Sequence, residues 1–191
     1  DMFPNAECEL NHTNSFELIV AVALSAQTTD KSVNGITTDL FNKYKSPQDF
    51  VDADIEEIEQ DLKRIGLYKN KARNLKKMSE LLIKNFNGVV PSSQVELESL
   101  PGVGRKTANV VLSVWFDVPR IAVDTHVDRV SKRLKLAYNN DTVRQVEEKL
   151  PGWLKDNKDE LSSVKSELEE LKELRKKFNT DNSYNFSSKK A

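Results

Sequence analysis

VELESLPGVGRKTANVVLSVWFDVPRIAVDTHVDR, residues 95–129, decides how the rest of the chain is read. Ser93 with Glu96 three residues on is a capping-box signal, which predicts a short helix through Leu97 to Leu100. Pro101-Gly102-Val103-Gly104 breaks that helix with two glycines two apart, residues that tolerate positive φ. From Arg105 to Phe116 the pattern turns helical again, with Ala108, Val111, Leu112 and Trp115 on one stripe. The expected unit is helix, glycine hairpin, helix.

Such a hairpin leaves backbone N–H groups unpaired at the N-terminus of the following helix, where they suit a phosphate. Contacts of that kind hold a nucleic-acid backbone without reading its sequence. The alternative is a plain helix–turn–helix corner in which glycine only closes the first helix. Pro-Gly-Val-Gly alone leaves both open. Two residues near it add chemistry. Lys106 places an amine two residues past the hairpin, and Asp124 stands further on in Val123-Asp124-Thr125-His126.

LPGVGRKTANVV followed by IAVDTHVDRVSKRL resembles the helix–hairpin–helix DNA glycosylases, and among them most of all endonuclease III. The resemblance runs from about Phe3 to Leu150 and implies a catalytic pair, Lys106 as nucleophile and Asp124 as its partner. It further implies DNA contacts from Gly102, Val103, Gly104, Arg105 and Thr107 in the hairpin. Gln27, in the SAQ-x-TD turn, is implied to fill the gap left by a displaced nucleotide, and His126 to lie near the DNA. The implied activity is base-excision repair. A damaged base, expected to be an oxidised pyrimidine, is flipped out and removed, and the strand is cut by a lysine Schiff base and β-elimination. Lysine at position 106 favours this glycosylase and abasic-site lyase branch over the adenine glycosylases, which keep the aspartate and generally lack the lysine. Attack at neutral pH needs the amine uncharged, and a free lysine titrates near ~10.4, so burial or cationic neighbours are expected around it.

The chain's bulk properties fit such a reading. The 191 residues suit one domain or two small ones. Net charge is −1, which argues against a uniformly basic binder, yet residues 61–135 carry 15 Lys and Arg against 7 Asp and Glu. That middle section is therefore +8 and the remainder −9, a basic surface around the hairpin. The lone Cys8 excludes an internal disulfide or a four-cysteine metal site within these residues, so neither a metal nor the family's [4Fe–4S] cluster is expected. No signal peptide or apolar run of membrane-spanning length is evident. The expected setting is cytoplasmic and nucleoid-associated, as in bacteria. The expected partner is double-stranded DNA with damaged bases or abasic sites, bound by a monomer. The first residue is Asp1 rather than Met, as in a trimmed start.

No strand pattern occurs, so the expected class is all-α. Residues 1–14 read as irregular, with His12 in a surface loop. FELIVAVALSA, residues 16–26, is apolar nearly all round and predicts a central buried helix. Asp30 is placed to cap a helix from Lys31 to Tyr44, and Ser46-Pro47 to open a short one to Val51. Another starts at Asp54 and breaks at Ile65-Gly66-Leu67-Tyr68. Leu67 reads either as an exposed wedge between base steps or as a core residue. Tyr68 to Phe86 predicts a long helix with Ala72, Leu75, Met78, Leu82 and Phe86 inside, and Lys69, Lys71, Arg73, Lys76 and Lys77 elsewhere on its surface. Asp124 is the expected N-cap of a helix from Thr125 to Leu136, and Thr142 with Gln145 starts one ending near Leu150.

Beyond Leu150 the chain departs from endonuclease III, whose further helices and four cysteines have no counterpart here. Residues 159–178 instead show apolar positions at Leu161, Val164, Leu168, Leu171, Leu174 and Phe178, near heptad spacing. The expected organisation is a helical barrel domain with the hairpin over residues 8–118 and a reduced second helical domain over 119–178. The latter carries Asp124 and the atypical C-terminal helix, which is expected to dock back on its own chain. A polar, disordered tail over 179–191 completes the chain. Two readings stand beside an active enzyme: a truncated or engineered DNA-binding remnant that catalyses nothing, and a protein-interaction module built on the C-terminal helix.

Overall fold

A computed structural model describes residues 8–156, and every regular element among them is helical. Cys8–Pro151 forms one compact unit, and Gly152–Asp156 continues the last helix beyond it.

The centre is α1 (Ser15–Ser25), buried at Leu18, Ile19, Val20, Ala21 and Leu24 with no exposure at all. Complete burial of one such leucine contributes about 1.5–3 kcal/mol. Asn14 caps α1 by accepting the Glu17 N–H at 2.9 Å. Around it lie α2 (Asp30–Lys43), α3 (Pro47–Asp52), α4 (Ile55–Asp61), α5 (Tyr68–Phe86), α6 (Gln94–Glu98) and α7 (Arg105–Trp115). α1 packs on α2, α5 and α7, while α3 and α4 pack on α5 and α6 packs on α7. One apolar core joins these seven helices. A second, smaller core gathers Val123, Ala137, Val146 and Leu150 around α8 (Thr125–Arg133) and α9 (Val143–Asp156). Cys8 is a half-buried thiol against the larger core.

Several local expectations shift. α2 begins one residue early, because Thr29 Oγ1 accepts the Ser32 N–H at 3.3 Å and takes the cap position expected of Asp30. Ser93 is the N-cap of α6 but makes no side-chain cap bond, so the capping box there does not form. A side-chain cap forms instead at α3, where the Asp49 carboxylate accepts from both the N–H and the hydroxyl of Ser46. Trp115, expected on the inner stripe of α7, is 40% exposed at the helix end, its ring edge-on to His12. α9 continues through Pro151 to Asp156 rather than ending near Leu150. Proline has no N–H, so the Glu147 carbonyl loses its partner within that helix.

α5 keeps its predicted span and inner stripe, but two of its lysines differ from expectation. Lys71 is not on the surface but buried, at 8% exposure. Lys76 likewise turns inward, donating to the Val51 and Ala53 carbonyls. The 159–178 stripe and the 179–191 tail lie outside the described residues.

Candidate active site

α6 and α7 meet in the hairpin. Leu100 and Val103 anchor it, both buried in the larger core, and the Val103 N–H donates to the Leu100 carbonyl at 3.1 Å. Gly102 has φ +82°, a left-handed conformation that glycine adopts without strain. Gly104 differs from the expectation: its φ is −92° and ψ 176°, an extended N-cap that any residue could adopt. A Cβ at Gly104 would meet no atom of this protein within 4 Å, whereas one at Gly102 would press on Asn74 at 3.2 Å. The first N–H to close a bond within α7 is that of Ala108, to the Gly104 carbonyl at 2.9 Å. The N–H groups of Arg105, Lys106 and Thr107 precede it, at the positive end of the helix dipole.

The Val103 side chain, being buried, offers a ligand only its backbone. The Arg105 side chain has a partner within the protein: its Nε donates to Glu147 Oε2 at 2.9 Å, and Glu147 is itself buried. The Asn109 amide also donates to Glu147, so one carboxylate ties α7 to α9. Arg105 thus ties the hairpin helix to α9, with its side chain 32% exposed. A buried glutamate facing a buried asparagine is not evident from spacing alone.

Lys106 does face the position expected of it. Its Nζ lies 3.4 Å from Asp124 Oδ2, with the lysine side chain 59% and the aspartate 38% exposed. Asp124 caps α8 with its other oxygen, accepting the N–H groups of His126 and Val127, each at 2.9 Å. The Val127 N–H holds the Asp124 carboxyl below the usual carboxylate range, with the His126 N–H and the Lys106 ammonium adding to it and burial opposing. One carboxylate therefore caps a helix and meets an amine at once. The burial expected around Lys106 is not a property of the protein by itself. His126 is exposed on the first turn of α8, 3.2 Å from the Arg129 guanidinium.

Gln27 and Leu67 stand on two other turns. Both are exposed and both have positive φ, +56° and +58°, although neither is glycine. Leu67, 56% exposed at the N-cap of α5, is not a core residue.

An amine and a carboxylate at the starts of two successive helices, beside a glycine hairpin, define a class: the helix–hairpin–helix proteins. Comparison with known proteins agrees. The family of HhH-GPD superfamily base excision DNA repair proteins matches residues 20–156. Endonuclease III of Bacillus subtilis (strain 168) is 60% identical over 150 residues, which are 78% of this chain and 68% of that protein. Endonuclease III of Escherichia coli (strain K12) is 48% identical over 147 residues, 77% and 69% of the two chains. Among solved structures, a trapped endonuclease III–DNA covalent intermediate superposes with a TM-score of 0.73 at 58% identity, covering 78% of this chain and 70% of that one. The chain belongs to the HhH-GPD superfamily and, within it, to the endonuclease III family.

A [4Fe–4S] cluster needs four thiolate ligands. These 191 residues contain one cysteine, and no group of three or more His, Cys, Asp or Glu among the described residues could hold a metal ion. The residues present do not fit the cluster. Also among the described residues, no helix is long and apolar enough to cross a membrane.

Proposed function

We propose that this chain excises damaged bases from duplex DNA and cuts the strand at the resulting abasic site. The lesion class is an oxidised pyrimidine, and the setting is the nucleoid. The observation that carries the reading is the Lys106–Asp124 pair, 3.4 Å apart at the starts of α7 and α8. Identity to proteins named endonuclease III, and likeness to one trapped covalently on DNA, support it.

In this reading the hairpin N–H groups hold a phosphate and bring the sugar of a flipped nucleotide to Lys106. The bare approach at Gly104 lets that phosphate come close to the backbone. Bound DNA, rather than the protein core, excludes water from the amine. The neutral Lys106 amine attacks C1′, the bond from C1′ to the base nitrogen breaks, and the base leaves with the electron pair and a proton. Opening of the sugar ring gives a C1′=N Schiff base. Loss of the C2′ proton expels the 3′ phosphate, and water then hydrolyses the imine and returns lysine. Asp124, held as carboxylate, accepts the amine proton or stabilises positive charge at the sugar. His126 lies two residues beyond the catalytic aspartate, facing the same DNA. The division at 118/119 fits the two apolar cores, with Lys106 on the side of one and Asp124 on the side of the other.

The test is strand cleavage on a duplex with a single abasic site, with gel-shift binding in parallel. Lys106→Ala should abolish cleavage and leave duplex binding in place, because backbone groups make the phosphate contacts. Cleavage by that variant at the wild-type rate would overturn the assignment.

A further inference from the structure

Lys71 is the most thoroughly buried lysine among the described residues, and the excision chemistry does not use it. It is the fourth residue of α5, and its N–H closes the first bond of that helix, to the Leu67 carbonyl at 3.0 Å. Its side chain runs in the opposite direction. The amine donates to the Leu24 carbonyl at 2.9 Å and to Thr28 Oγ1 at 2.7 Å. Leu24 is in the last turn of α1, where carbonyls lack helical partners and the dipole is negative, so an ammonium satisfies both. Thr28 lies just past that helix end, and its N–H returns to the Ser25 carbonyl at 3.0 Å.

The result is a bridge between two turns. Through its backbone Lys71 is bonded to the residue that opens the second turn, Leu67. Through its amine it is bonded on both sides of the first, at positions 24 and 28 flanking Gln27. Residues other than glycine stay in the left-handed region only where the surroundings hold them there. We infer that Lys71 is a positioning residue that clamps the Gln27 and Leu67 turns to each other, so that both side chains meet a duplex as one preset pair. The inference rests on the proposed function together with the roles expected of these residues, Gln27 filling the gap left by the displaced nucleotide and the exposed Leu67 wedging between base steps. If the turns moved independently, each would lose conformational freedom when DNA bound, at a cost to affinity. The clamp moves that cost into folding. Burial draws the Lys71 ammonium below the usual lysine range, as a charge held away from water requires.

The test uses Lys71→Met, which keeps the stem and removes the donor, with Lys71→Arg as rescue and Thr28→Val removing one of the two bonds. Hydrogen exchange on the free protein reads the turns. Lys71→Met should speed exchange in both 26–29 and 65–68, and Lys71→Arg should restore protection. Binding reads the consequence. The preference for a duplex with a stable abasic-site analogue over an undamaged one should fall roughly tenfold, the scale of one hydrogen bond to a charged group. Affinity for the undamaged duplex should not change. Faster exchange in 26–29 alone would reduce Lys71 to a cap of α1 and overturn the clamp. So would a wild-type lesion preference in a folded Lys71→Met protein. Should that variant fail to fold, Thr28→Val carries the same two readouts. A wild-type protein without any lesion preference would sink the proposed function, while the exchange arm would still decide whether Lys71 couples the turns.

Discussion

Asp124 does two jobs with two oxygens, and the jobs can be separated by substitution. Asparagine caps a helix about as well as aspartate, whereas alanine does not. Asp124→Ala should therefore cost about 0.5–2 kcal/mol of stability, and Asp124→Asn much less. Both should slow excision, roughly 10²–10⁴-fold if the carboxylate moves a proton or faces the charged sugar. Unfolding in urea and single-turnover cleavage read the two effects. Stability also carries a pH signature. The folded carboxyl lies below its unfolded value of ~3.9, so its contribution is complete above that pH and is lost as pH falls through the folded value. The gap between wild type and Asp124→Asn should close on acidification below pH ~4; a gap independent of pH would contradict the assigned cause. Lys106 and Asp124 were legible because the motif around them is specific. Lys71 was not, since a lysine in a basic helix reads as solvated face. A signal was nonetheless there: positions 71, 75, 78 and 82 share one helical stripe, so Lys71 stands in line with the buried Leu75, Met78 and Leu82.

At the scale of elements, the hairpin's two glycines answer to different constraints. Gly102 is required by conformation and by Asn74, so Gly102→Val should destabilise the fold by roughly 1–3 kcal/mol. Gly104 has an extended backbone and open space beside it, so Gly104→Val should leave the melting temperature near wild type. Its effect should appear in DNA affinity, weakened alike on every duplex sequence because backbone contacts carry no sequence information. Calorimetric melts with gel shifts decide between them. A Gly104→Val protein that binds normally would mean that no phosphate approaches there. Legibility of the helices in the sequence divides in a similar way. Apolar periodicity placed α5 and α7 and a continuous apolar run placed α1, because their buried faces are long. Caps were harder to place. Thr29 and Asp30 are adjacent candidates, and the extended backbone at Thr29 (φ −73°, ψ 146°) with its bond from the Ser32 N–H selects it. Ser93 had the pattern of a capping box without making the bond.

For the molecule as a whole, charge is the coarse variable. Residues 61–135 carry +8 and hold the hairpin, Leu67 and the Lys106–Asp124 pair. Phosphate contacts from that surface release counterions, so affinity should fall with salt at a slope of about −0.9 per phosphate neutralised. Gln27 and Leu67 are uncharged. Lesion-bearing and undamaged duplexes should therefore give the same slope between ~50 and ~200 mM salt with different intercepts. Unequal slopes would show that lesion recognition itself is ionic. The all-helical class and the hairpin's place in it followed from periodicity and two glycines. The tie between the two cores did not, because it runs through Glu147, Arg105 and Asn109, polar residues whose partners lie 42 and 38 positions away. The central claim is that Lys106 is the nucleophile, and borohydride reduction tests it most directly. With an abasic-site duplex, the wild-type protein should give a covalent adduct whose peptide mass maps to Lys106, and Lys106→Ala should give none. An adduct mapped to another lysine, or no adduct from wild-type protein that binds the duplex, would contradict it.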